Sequence, residues 1–206
     1  MGARMEQELT FEMISAAAQK LKIEPNVLDA VCRLEAREPG FLPSGKSAIR
    51  FEGQIFWKEM LKRGFFEDKL RDLSQQYPNV LYPKRMPEFY LEGEREYQRF
   101  DDAVTINEGA ALAATAWGFF RLMGRQFAEC GYDDIHAFIE AQKAGAAGQL
   151  EAFCQWMVSR GLIESLQQKD WQMFARLCYG PAYAERKYDK KLERAYEKSL
   201  EAHGPG

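Results

Sequence analysis

Apolar residues recur at helical spacing through most of this chain, and each run carries its own start or stop signal. Phe11, Ile14, Ala18 and Leu21 follow Thr10, whose hydroxyl can accept from an unpaired first-turn N–H and so cap the helix. Pro25 can open the next helix, because a first-turn residue needs no N–H. That helix carries Val27, Leu28, Val31 and Leu34 and stops before Pro39-Gly40. Further helices are predicted over Gly53 to Gly64, Glu92 to Ala103, Glu108 to Thr115 behind an Asn107 cap, Asp133 to Lys143, Gly148 to Arg160 and Asp170 to Cys178. The last, from Ala182 to Glu201, puts Tyr188, Leu192, Tyr196 and Leu200 on one stripe between an acidic and a basic one. That pattern belongs to a solvated helix docked by one face. Two stretches break the helical period. Leu42-Pro43-Ser44-Gly45-Lys46 followed by Ala48 to Glu52 has the turn chemistry and alternation of a small β-hairpin. Residues from 66 to 95, with Pro78, Pro83, Pro87 and many charges, read as a long, partly ordered excursion. No Ser/Gly linker divides the 206 residues, so a single mostly α domain over 1–206 is expected, ordered from about residue 10 to 200.

Composition narrows the function classes. A net charge of -3 leaves no basic field for tracking phosphates, which argues against nucleic acid. The mean hydropathy of -0.47, with no apolar run near ~20 residues, argues against a membrane span. With only 2 His, neither catalysis nor metal binding can rest on several histidines. Cys32, Cys130, Cys154 and Cys178 form no C-x-x-C pair, so zinc and dithiol redox readings fail and buried reduced thiols are expected. No metal or cofactor is expected, and the chain is expected to be a monomer. The N-terminal residues carry acids and lack an apolar core, unlike a classical secretory signal, so synthesis in the cytoplasm is expected.

One carboxylate stands on the wrong face. Leu28, Val31 and Cys32 set an apolar stripe at i, i+3 and i+4, and position i+7 is Glu35. A carboxyl on a core-facing stripe loses solvation, which disfavours its charged form and raises its pKa. A general acid needs that property near neutral pH. The competing reading is an end-of-helix Glu that bends to water or pairs with Arg37. Glu52, between Phe51 and Gly53, is a second candidate; it also suits the start of the next helix, where a carboxylate favours the helix dipole. A third group is aromatic. Trp117-Gly118, Tyr179-Gly180-Pro181 and Tyr183 set rings beside glycine breaks, an arrangement that suits sugar faces as well as it suits cores.

Taken in order, these blocks resemble the N-acetylmuramidase family of phage endolysins. The matching segments are Leu28 to Glu35, Gly40-Phe41-Leu42-Pro43-Ser44-Gly45-Lys46, Ile49-Arg50-Phe51-Glu52, Ala111 to Gly124, Tyr179-Gly180-Pro181-Ala182-Tyr183-Ala184, Tyr188 to Leu192 and Ala195-Tyr196. The resemblance runs from about residue 10 to 200. It implies a lysozyme-like helical domain with a small β-hairpin beside the active-site groove. Many such endolysins carry a further cell-wall-binding domain, and none is expected in this chain. It implies cleavage of the β-1,4 bond between N-acetylmuramic acid and N-acetylglucosamine in peptidoglycan, with the glycan strand as substrate. Glu35 occupies the place of the family's catalytic acid. For the second group, Glu52 is the first choice, Glu38 the second and a positioned water the third. Trp117, Gly118, Arg121, Tyr179, Gly180 and Tyr183 would contact substrate. Glu38, Gln54, Arg121 and Tyr179 depart from the residues usual in the family. A non-catalytic peptidoglycan-binding module and a lytic transglycosylase are the alternatives on the same fold. The resemblance also implies action on periplasmic peptidoglycan after release.

Overall fold

The structure, a computed structural model, describes residues 7–205. They fall into two compact units, one of residues 7–39, 129–131 and 144–205, the other of residues 40–128 and 132–143.

The first unit is wholly helical: α1 (Phe11–Leu21), α2 (Pro25–Glu35), α7 (Ala146–Ser159), α8 (Ile163–Gln167), α9 (Trp171–Tyr179) and α10 (Tyr188–His203). Helix α2 is its centre. Val27, Leu28, Ala30 and Val31 are wholly buried, because α1 and α10 both pack against it. The expected Thr10 cap forms, its hydroxyl accepting from Met13 N at 3.3 Å. Helix α10 docks through Leu192 and through polar contacts to the start of α2. The Ser199 hydroxyl donates to Asn26 Oδ1 at 2.8 Å, and Asn26 Nδ2 donates to Gly204 O at 2.9 Å. Helix α10 begins at Tyr188 rather than Ala182. Gly180 (φ 77) opens a 3-10 turn over Pro181–Tyr183, and Lys187 (φ 54) is left-handed, so the helix cannot extend back across them.

The second unit holds β1 (Ile49–Phe51), α3 (Gly53–Lys62), α4 (Glu67–Gln76), α5 (Glu96–Ala113), β2 (Thr115–Trp117), β3 (Leu122–Met123) and all but the last residue of α6 (Ile135–Ala144). The Leu42–Lys46 turn closes locally, with Leu42 N donating to Lys46 O at 2.8 Å and Phe41 bridging Ser47. The strand after it does not fold back on that turn. It pairs antiparallel with β2, Ile49 opposite Trp117 and Phe51 opposite Thr115, and β2 pairs in turn with β3. Asn107 leaves helical geometry inside α5 (φ -162) and restarts it by accepting from Ala110 N at 2.9 Å, as its capping role predicts. The cap of α6 is Asp134 rather than Asp133; its Oδ1 accepts from His136 N at 2.8 Å and Ala137 N at 2.9 Å.

The excursion over 66–95 is more ordered than its prolines suggest. It contains α4 and two 3-10 turns, and Val80, Leu81 and Tyr82 are buried. Arg99, 1% exposed, explains why. Its guanidinium donates to Asn79 O at 2.8 Å, Tyr82 Oη at 2.9 Å, Phe51 O at 3.2 Å and Glu96 Oε1 at 2.7 Å. Glu96, equally buried, accepts from Phe51 N and Leu91 N, both at 2.8 Å. One ion pair therefore fastens the excursion to β1 and α5. Tyr82 also lies against the start of α3, where a Cβ on Gly53 would stand 2.4 Å from its ring. The four cysteines are free thiols, three of them buried.

A buried pair broken on one side leaves an uncompensated charge and costs ~3–5 kcal/mol, whereas an exposed pair is worth ~0–1 kcal/mol. Arg99→Met should therefore lower unfolding free energy in urea by about 3–5 kcal/mol. Arg71→Ala, which breaks the exposed Arg71–Glu67 pair, should cost less than about 1 kcal/mol.

Candidate active site

Glu35 is the last residue of α2, and Ala36 N closes the helix on Cys32 O at 2.7 Å. The i, i+3, i+4 face that leads to it is buried, with Leu28 and Val31 at 0% and Cys32 at 2% exposure. The Glu35 side chain is half-buried at the end of that face. Burial pushes its carboxyl above the ordinary Glu range, and this outweighs two opposing influences, a hydrogen bond from Tyr179 and the charge of Arg37. Among the described residues, Arg37 Nε donates to Leu34 O at 2.9 Å, and its charge acts on Glu35 against the effect of burial. Glu38 is exposed.

The Tyr179 hydroxyl donates to Glu35 Oε1. Tyr179 ends α9 and is stacked on Tyr188 at the start of α10, with ring centroids 4.0 Å apart. Phe174 meets its edge at 6.4 Å. Burial, then the Glu35 charge, raise the Tyr179 pKa, so this phenol stays a donor at any working pH. Cys178 is adjacent, its thiol pushed up to about 12 by burial and by Glu35. The sequence supplied Tyr179 as a ring beside a glycine and gave no sign that its hydroxyl meets Glu35.

Glu52 sits in the second unit as the N-cap residue of α3, but its side chain makes no capping bond. Its backbone is fixed, N donating to Ala114 O at 3.0 Å. Its Oε2 accepts from Tyr90 Oη and from Gln54 Nε2, each at 2.7 Å. Tyr90 is in turn surrounded by cations: the guanidinium carbons of Arg50, Arg85 and Arg99 lie 5.5, 5.8 and 5.8 Å from its ring centroid. Sequence reading missed Tyr90, which comes from the excursion.

The ring-and-glycine blocks diverge in placement. Trp117 is 1% exposed and meets the edge of Phe100 at 5.6 Å, so its ring is core packing, the ordinary alternative for a strand tryptophan. Gly118 (φ 68) follows it, its N donating to Ala48 O at 2.8 Å. Arg121, half-buried, closes the β2–β3 turn in a left-handed conformation (φ 51). Around Gly180 there is open space on the side where a Cβ would project, and Tyr183 is half-buried in the 3-10 turn that follows. Among the described residues, no three His, Cys, Asp or Glu converge as metal ligands, and no helix is long and apolar enough to cross a membrane.

Comparison with known proteins places these features. The model of the N-acetylmuramidase family matches residues 24–200. Among solved structures, the crystal structure of the Burkholderia AP3 phage endolysin matches with a TM-score of 0.83 at 35% identity, over 95% of this chain and 73% of that one. No curated protein matches. The mostly helical architecture with its small antiparallel sheet agrees with the lysozyme-like fold expected from the sequence.

Because the folded state raises the Glu35 pKa, it binds the proton more tightly than the unfolded chain does. Stability therefore falls as pH rises from the unfolded Glu value, ~4.3, through the folded one. Glu35→Gln should be more stable than wild type at pH 7, and the advantage should vanish below about pH 4 when the two are compared by thermal unfolding.

Proposed function

This chain belongs to the N-acetylmuramidase family, and we propose from that premise that Glu35 is the general acid with which it hydrolyses the β-1,4 bond between N-acetylmuramic acid and N-acetylglucosamine. Membership makes it a peptidoglycan hydrolase; the bond and the acid are our assignment. The observation that carries the assignment is a carboxyl at the end of a buried helix, held half out of water with its pKa raised by burial.

Glycoside hydrolysis needs a proton on the leaving oxygen while the sugar passes through an oxocarbenium-like state. A carboxyl with an ordinary pKa near 4.3 is almost wholly ionised at neutral pH and cannot supply that proton efficiently. Burial of Glu35 moves it in the useful direction. We assign the second carboxyl role to Glu52. Its two hydrogen bonds both fall on Oε2 and fix the group, as a base or nucleophile requires. Arg121, Tyr183 and the open backbone at Gly180 are the assigned sugar contacts, and Trp117 with Gly118 supports the turn that presents Arg121. A hydrolase of this kind, made inside the cell, would reach the wall only after release.

The test is clearing of outer-membrane-permeabilised cells, with mass spectrometry of the fragments. Wild type should clear them and release reducing-end N-acetylmuramic acid. Glu35→Gln and Glu52→Gln, each checked for folding, should lose about 10²–10⁴-fold in rate. Equal clearing by Glu35→Gln would remove the acid from Glu35. Anhydro-muramic products would make the enzyme a lytic transglycosylase, and binding to the wall without release would leave a non-catalytic module.

A further inference from the structure

The Tyr179 hydroxyl points at a carboxyl rather than outward to a sugar, and its ring is fixed on both sides. We propose that Tyr179 is the positioning residue of Glu35: held by Tyr188, its hydroxyl occupies Oε1 and so keeps the transferable proton on Oε2.

The argument is one of hydrogen-bond capacity. A protonated carboxyl has one oxygen that accepts and one that carries the proton. A phenol locked as a donor to Oε1 makes Oε1 the accepting oxygen. The proton then has one address, and the carboxyl has one orientation at a helix end that would otherwise let it turn. The Tyr179–Tyr188 stack, 18° from parallel, and the Phe174 edge prevent the ring from following a freely rotating carboxyl. Nothing else within hydrogen-bonding reach of Glu35 competes for Oε1 among the described contacts.

The same bond tempers the acid. The groups that face Glu35 are Cys32 from α2, Arg37 from the segment after it, and Cys178 and Tyr179 from α9. On α10, Tyr188 backs Tyr179, and Lys191 lies over the Tyr188 ring with its Nζ 4.9 Å from the centroid. Burial raises the Glu35 pKa, while Tyr179 and Arg37 lower it. A donor bond is stronger to the ionised form, so deleting it leaves burial less opposed and moves the pKa further up.

The proposal rests on Glu35 being the acid, but its test reads Glu35 directly. Tyr179→Phe removes one oxygen and keeps the stack. With carboxyl-¹³C glutamate, the Glu35 resonance should titrate at higher pH in Tyr179→Phe than in wild type. On soluble peptidoglycan glycan fragments, kcat should fall about tenfold with KM unchanged, and the alkaline limb of the kcat profile should move up with the titration. An unmoved titration overturns the proposal, as does a rise in KM alone, which would make Tyr179 a sugar contact. If Tyr179→Phe fails to fold, Tyr188→Leu takes its place: it should shift the titration and lower kcat in the same directions to a smaller degree, and a wild-type titration there overturns the proposal too. A moved titration in an enzyme indifferent to Glu35→Gln would instead retire Glu35 as the acid and leave the hydrogen bond standing.

Discussion

The buried Glu96–Arg99 pair organises the second unit. Neither charge is exposed, and apart from the bond between them their hydrogen bonds go to two other stretches of chain: β1 at the N and O of Phe51, and the excursion at Asn79, Tyr82 and Leu91. Removing two charges from water is costly, and an apolar replacement of similar shape can be as stable. What the pair supplies is specificity. Four backbone partners must arrive in register before the charges are satisfied, and Glu52 follows directly on the strand so fixed. The same scaffold brings Tyr90 to the Glu52 carboxyl, from a segment with too little regular structure to hold a side chain in place by itself.

In the first unit the corresponding constraint is the burial of α2. A helix buried nearly all round leaves its last residue little room for choice, and here that residue is a glutamate. Desolvation, which would be a defect in a structural side chain, supplies proton affinity. The tyrosine that opposes it belongs to the same compromise, because an acid too weak gives up its proton as poorly as one already ionised.

Helix periodicity and caps carried most of the architecture, since they are local: Thr10, Pro25 and Asn107 each act on backbone within four residues. Glu35 was legible for the same reason, standing out against three apolar neighbours on its own helix. Its partner was not, because Tyr179 lies 144 residues away and a stacked tyrosine beside a glycine looks like any core ring. The strand pairing of Ile49–Phe51 with Thr115–Trp117 was hidden likewise, as turn chemistry reports only the local closure. The prolines and charges of the excursion understate its order. A usable signal was present in Glu96, Arg99, Phe100 and Ala103, which run i, i+3, i+4, i+7 like the series ending in Glu35. Charges within an apolar period mark a buried pair as readily as a solvated face, and only the partners far along the chain decide between them.

Helix α10 touches α2 at both ends, with Ser199 on Asn26 at one and Tyr188, through Tyr179, on Glu35 at the other. Tyr188 and Ser199 are eleven residues apart, which is about three turns, so both lie on the same side of α10. The helix thereby acts as a calliper whose jaws are set by its residue count. One residue added or removed between them would rotate a jaw by about 100°. The spacing along an outwardly solvated, charge-striped helix is thus as tightly bound to the chemistry at Glu35 as any side chain beside it.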